Sequence, residues 1–185
     1  DATVGELRAE DIEPLALAAA LPEGTVALRV VGAPVSGVPA ELAFMREERC
    51  LGAGRADLFE FIWHFNDALP NACRDIFGGS SGSPVFAGDD LAVIGLINTT
   101  TVGGLTSCAL GSPCEARPEG TVFVADTSYA TPVVGLGACF DTAGVFDLSM
   151  DGCPLDDGRQ LLIPGYPTQG TRNPMTAPDG TTAPA

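Results

Sequence analysis

Apolar residues recur along this chain in short runs bounded by glycine, proline and aspartate, and the runs alternate with a period of two. That period predicts strands rather than helices. Thr25–Val31 is β-branched and apolar and breaks at Gly32-Ala33-Pro34. Leu58–Phe65 alternates as one strand, with Phe59, Phe61, Trp63 and Phe65 on one face and Leu58, Glu60, Ile62 and His64 on the other. The aromatic face is expected to be core. Pro84–Ala87 and Leu91–Asn98, joined by Gly88-Asp89-Asp90, predict a hairpin. Thr121–Asp126 predicts a further strand. Helical signal is confined to the alanine-rich stretch Leu15–Leu21, expected to form a turn or two before Pro22 and Gly24.

Composition sharpens this into an all-β domain. The chain has 185 residues, 45% of them apolar and only 18% charged, with 23 glycines and 15 prolines. That suits a turn-rich β-domain with a real core and argues against wholesale disorder. The formal charge of −15 repels phosphate backbones and anionic lipid, so no nucleic-acid or membrane partner is expected. No apolar run approaches the ~20 residues of a membrane span. Six cysteines, an even number without paired C-x-x-C spacing, point to disulfides. A secreted location, extracellular or periplasmic, is therefore expected, with no metal site and no cofactor. The chain opens at Asp1 without an initiator Met, so it is expected to be processed or a piece of a longer one.

Along the chain we expect a linking segment at 1–24, a β-domain at 25–134, a Cys-stapled extension at 135–163 and a tail or linker at 164–185. The stretch with chemical content is Gly78-Gly79-Ser80-Ser81-Gly82-Ser83-Pro84-Val85-Phe86. Taken alone it looks like a flexible linker. Its flanks, Ile76-Phe77 and Pro84-Val85-Phe86, are apolar and pin it between strands, so it reads as a held loop.

Gly79-Ser80-Ser81-Gly82-Ser83-Pro84 resembles the nucleophile motif Gly-x-Ser-Gly-[Gly/Ser]-Pro of the trypsin-like (chymotrypsin-superfamily) serine peptidases, in the Gly-Ser-Pro form of bacterial members. Val30-Val31-Gly32-Ala33-Pro34, Val93–Asn98 and Pro118–Val124 resemble the neighbouring strands of that family, in the same order, across residues 1–134. The resemblance implies the second six-stranded antiparallel barrel of a double-barrel fold, with a polypeptide substrate. It implies Ser81 as nucleophile and the backbone N–H groups of Gly79 and Ser81 as the oxyanion hole. It implies a primary pocket with Asp75 at its base and Asn98, Thr99 and Thr100 as walls.

A serine hydroxyl needs a base and an orienting carboxylate. The single histidine, His64, lies 17 residues before Ser81 and on the mixed face of its strand, and it reads as structural. The family order His, Asp, Ser then implies a base on a missing N-terminal half of the same protein. The triad aspartate implied by the resemblance is Asp1, in Asp1-Ala2-Thr3-Val4-Gly5-Glu6-Leu7, with Asp11 as competitor. This chain by itself is expected to be inactive, and the rival function is a non-catalytic homologue acting as a secreted binding module.

An acidic pocket base would favour Lys or Arg, whereas Ile76, Phe77 and Thr100 narrow the pocket toward a small or apolar residue; both specificities stay open. Ser80 stands where trypsin-type enzymes carry the aspartate that pairs with a new terminal amine, so no such activation switch is expected. For the cysteines, Cys139–Cys153 is expected on locality. The other four leave Cys73–Cys108, or Cys108–Cys114 with Cys50–Cys73. The acidic residues Asp141, Asp147, Asp151, Asp156 and Asp157 lack calcium-loop spacing and read as a solvated hairpin.

Overall fold

The computed structural model describes residues 15–104 and 108–153, together with Glu6, Ala9 and Glu10. Asp1, Asp11, Asp156, Asp157, the end of the 135–163 extension and the 164–185 tail lie outside the described residues.

Among the described residues there are nine strands: β1 (Thr25–Gly32), β2 (Arg46–Ala53), β3 (Ala56–Glu60), β4 (Trp63–Asn71), β5 (Pro84–Ala87), β6 (Val93–Thr100), β7 (Cys114–Arg117), β8 (Gly120–Val122) and β9 (Ser128–Pro132). Every strand–strand pairing is antiparallel. The order is β2-β1-β5-β6-β9-β4-β3-β7-β8, and a further β2–β4 pairing returns it on itself. Six strands, β1, β2, β4, β9, β6 and β5, thus form a closed circuit, and β3, β7 and β8 continue outward from β4. The closure is thin. It rests on the pair Gly52↔Asn71 and on the Ala72 N–H donating to Leu51 C=O at 2.8 Å. The circuit encloses Leu28, Val30, Leu69, Ile76, Val85, Ile94 and Ile97. Gly52 is required there, because a Cβ would collide with the Leu28 side chain and meet Pro70 C=O at 3.1 Å.

Two local expectations fail. Residues 15–21 are not helical: Leu17 bridges to Val93, Ala18 N–H donates to Val93 C=O at 2.9 Å, and Val93 N–H donates to Ala16 C=O at 2.8 Å. The backbone finds its partners on the edge of β6 rather than within a helical turn. The stretch 58–65 is not one strand but a hairpin turning at Phe61-Ile62, with Leu58 opposite Phe65 and Glu60 opposite Trp63. Reversal at a two-residue turn puts Leu58 and Phe65 on the same face, so the aromatic face is not the core. Leu58 (0% exposed) and Glu60 (7%) are buried, while Phe61 (67%) and Trp63 (55%) are exposed. The other strands shift only at their ends: β6 reaches Thr100, and β8 covers three residues, Gly120–Val122.

Three disulfides are made, Cys50–Cys73, Cys108–Cys114 and Cys139–Cys153. The alternative Cys73–Cys108 is excluded, because Cys73 already bonds Cys50 beside the β2–β4 pairing. Three such bonds are consistent with an oxidising, extracellular environment. In the extension, Asp141 accepts from Ala143 and Val145 N–H, both at 2.8 Å, and Asp147 accepts from Ser149 N–H at 2.8 Å and its hydroxyl at 2.7 Å. These carboxylates are occupied in closing turns. Hydrogen bonds from Ser149 hold the Asp147 carboxyl below its ordinary range. Among the described residues no group of three His, Cys, Asp or Glu could hold a metal ion.

Candidate active site

The Ser81 loop connects β4 to β5 through two consecutive tight turns. Ser80 N–H donates to Phe77 C=O at 2.9 Å, and Ser83 N–H to Ser80 C=O at 3.0 Å. Ser80 is buried and its hydroxyl lies 3.4 Å from Phe77 N, which donates to it. Two glycines carry the left-handed angles the turns demand, Gly79 (φ 96) and Gly82 (φ 83). Gly79 is also pressed against the segment after β1: a Cβ there would lie 2.5 Å from a Val35 methyl and 2.7 Å from Val35 N. Val35 and Ser36 N–H both donate to Gly78 C=O, at 2.9 and 3.0 Å.

The far end of the loop is stitched to β6. Gly82 N–H donates to Ile97 C=O at 2.8 Å, and Ile97 N–H to Ser83 C=O at 2.9 Å. The segment is therefore anchored on both sides, with Ser80 and Ser83 buried and Ser81 exposed between them. Among the described residues, the N–H groups of Gly79 and Ser81 donate to no protein acceptor. An exposed hydroxyl and two uncommitted amides thus stand within three successive residues of a held loop.

The sequence-chosen wall residues follow directly. β5 pairs with β6 only as far as Leu96, and the loop bonds it at Ile97. Asn98, Thr99 and Thr100 run on past the loop, with Thr99 and Thr100 paired to β9 on one side and Asn98 at a bulge between Ile97 and Thr99. Asn98 and Thr100 also bond β9 through their side chains. Asn98 Nδ2 donates to Thr131 Oγ1 at 3.1 Å, Thr99 is buried, and Thr100 Oγ1 lies 2.9 Å from Ser128 Oγ. Ser128 Oγ donates in turn to Cys73 C=O at 2.7 Å, linking the wall to the stretch leading to Ser81.

Asp75 is not the buried, open carboxylate expected at a pocket base. Its side chain is 51% exposed and accepts from Arg46 Nη2 at 2.8 Å, so its charge is already partnered. His64 stands on the β3–β4 hairpin with its ring 4.8 Å from that of Phe59. Asp1, the candidate triad carboxylate, and its competitor Asp11 lie outside the described residues.

Sequence reasoning passed over Arg46 and Glu48. Glu48 accepts the N–H of Arg74 at 2.7 Å and of Asp75 at 2.9 Å. The available signal was faint: an unbroken run of charged residues, Arg46 to Arg49, leading into Cys50. Compared with family models, curated proteins and solved structures, the chain matches none of them.

Proposed function

We propose that this chain is the nucleophile-bearing barrel of a secreted, trypsin-like serine endopeptidase. Ser81 Oγ attacks the scissile carbonyl, the amides of Gly79 and Ser81 hold the developing oxyanion, and an acyl-enzyme forms before water releases it. The base is a histidine on the missing N-terminal half, and Asp1 orients it. No cofactor is needed for this chemistry. Two observations of fold support the reading: the six-stranded antiparallel circuit, and the motif's place between two of its strands.

Among the described residues, the side of Asn98–Thr100 away from β9 pairs with no strand, and it is suited to receive an extended polypeptide by strand addition. With Asp75 bound by Arg46, a small or apolar side chain is the better fit for the adjacent pocket than Lys or Arg.

The observation that carries the proposal is the exposed Ser81 between buried Ser80 and Ser83, beside two uncommitted amides. A fluorophosphonate probe tests it. The protein with its upstream half should be labelled at Ser81, and Ser81→Ala should abolish the label. This chain alone, lacking the base, should stay unlabelled. A folded two-barrel protein that takes no label at Ser81 refutes the hydrolase and leaves a binding module.

A further inference from the structure

We infer that Arg46 and Glu48 are positioning residues: together with Cys50 they clasp residues 73–75 to β2 and so set the conformation of the Ser81 loop. The catalytic part of this inference rests on Ser81 being a nucleophile; the clasp itself does not.

Arg46, Glu48 and Cys50 occupy alternate positions of β2 and share one face of it. All three are half-buried, whereas Glu47, Arg49 and Leu51 on the other face are exposed. Each reaches the same short stretch of chain. Cys50 is bonded to Cys73. Glu48 takes the N–H of Arg74 and of Asp75, one on each carboxylate oxygen. Arg46 takes the Asp75 carboxylate.

The placement of these contacts gives them their meaning. Backbone pairing between β2 and the chain after β4 ends at Asn71 and Ala72. Residues 72–77 belong to no strand or helix. Here side chains replace the ladder that has run out. A carboxylate accepting two successive backbone N–H groups fixes the plane of both peptides, and such charge-assisted bonds are among the stronger ones.

From Asp75 the chain has little slack before the nucleophile. Ile76 is buried in the main core, and Phe77 makes both bonds to Ser80. Arg46, Glu48, Asp75, Ile76 and Ser80 line one small crevice, so the clasp abuts the residue just before Ser81. A loop held this way keeps its amides aimed without a new chain terminus to lock it.

Backbone amide exchange on this chain tests the clasp without reference to activity. In Glu48→Gln one of the two N–H groups faces an amide donor instead of an oxygen. Loss of one charge-assisted bond should raise exchange at Ser80, Gly82 and Ser83 by about tenfold or more, well beyond any change at the β3–β7 amides. Faster exchange at Arg74 and Asp75 alone, with Ser80, Gly82 and Ser83 unmoved, overturns the inference. Should Glu48→Gln fail to fold, Arg46→Met is read the same way, and Arg46→Lys should restore protection.

In the protein with its upstream half, fluorophosphonate labelling of Ser81 should slow about tenfold in Glu48→Gln, in step with exchange. Labelling at the wild-type rate despite a loosened loop removes the positioning role. Wild-type protein that does not label refutes the nucleophile and its positioning, whatever the exchange data say of the clasp.

Discussion

Gly79 and Phe61 both hold left-handed backbone angles, φ 96 and φ 57, and the consequences are opposite. Gly79 is the residue type for which that conformation is cheap, and it has Val35 against it. Gly79→Ala should destabilise the chain by about 1–2 kcal/mol or more and displace the amide proposed above as an oxyanion donor. Denaturant midpoints check the first effect, and fluorophosphonate labelling of Ser81 in the protein with its proposed upstream half checks the second. Phe61 pays the steric penalty with a side chain that is mostly outside the core. Phe61→Gly should therefore stabilise by about 1 kcal/mol at most, partly offset by the extra freedom glycine gives the unfolded chain, read as a higher thermal midpoint. The demand at Gly79 was legible in the motif. The turn at Phe61 was not, because aromatic and β-branched residues on both sides carry no turn signal.

At the scale of elements, that missed turn accounts for the wrongly assigned core face. Alternation is a property of an uninterrupted strand, and a two-residue reversal re-pairs the faces without altering the pattern of letters. The β2–β4 pairing is a second case. One residue pair joins β2 to β4, so Cys50–Cys73 secures a weak seam, with a separation of 23 residues against 6 for Cys108–Cys114. Loop-closure entropy gives about 3 kcal/mol for the longer loop and about 2 for the shorter. The Cys50→Ser/Cys73→Ser pair should thus lower stability more than Cys108→Ser/Cys114→Ser, measured by urea unfolding under oxidising conditions. Equal losses would mean that the seam holds without its bridge.

For the whole molecule, the buried Tyr129 links stability to pH. Burial, and next the Glu115 carboxylate that accepts its hydroxyl at 3.2 Å, push the phenol well above its ordinary value. A proton held more tightly in the folded state gives a stabilisation that is whole below the unfolded value of about 10. It fades as pH climbs from there toward the folded value. Unfolding midpoints should therefore fall above about pH 10, and Tyr129→Phe should flatten that fall. An unchanged alkaline slope in the variant would place its origin elsewhere.

The order of residues by itself determined the all-β class, most strand positions, the local Cys139–Cys153 bridge and a held rather than slack Gly-Ser stretch. Each of these follows from short-range pattern: a period of two, turn residues, spacing, and apolar flanks a few positions away. Only the tertiary structure decided that β2 closes on β4, which cysteines meet, that Asp75 faces Arg46 instead of an open pocket, and that Glu48 grips the chain ahead of Ser81. Most of those contacts join residues far apart in the sequence, Cys50–Cys73 at 23 positions and Arg46–Asp75 at 29. Local pattern does not specify such partners; they are set by strand pairing and by which side chains face each other across the closed sheet.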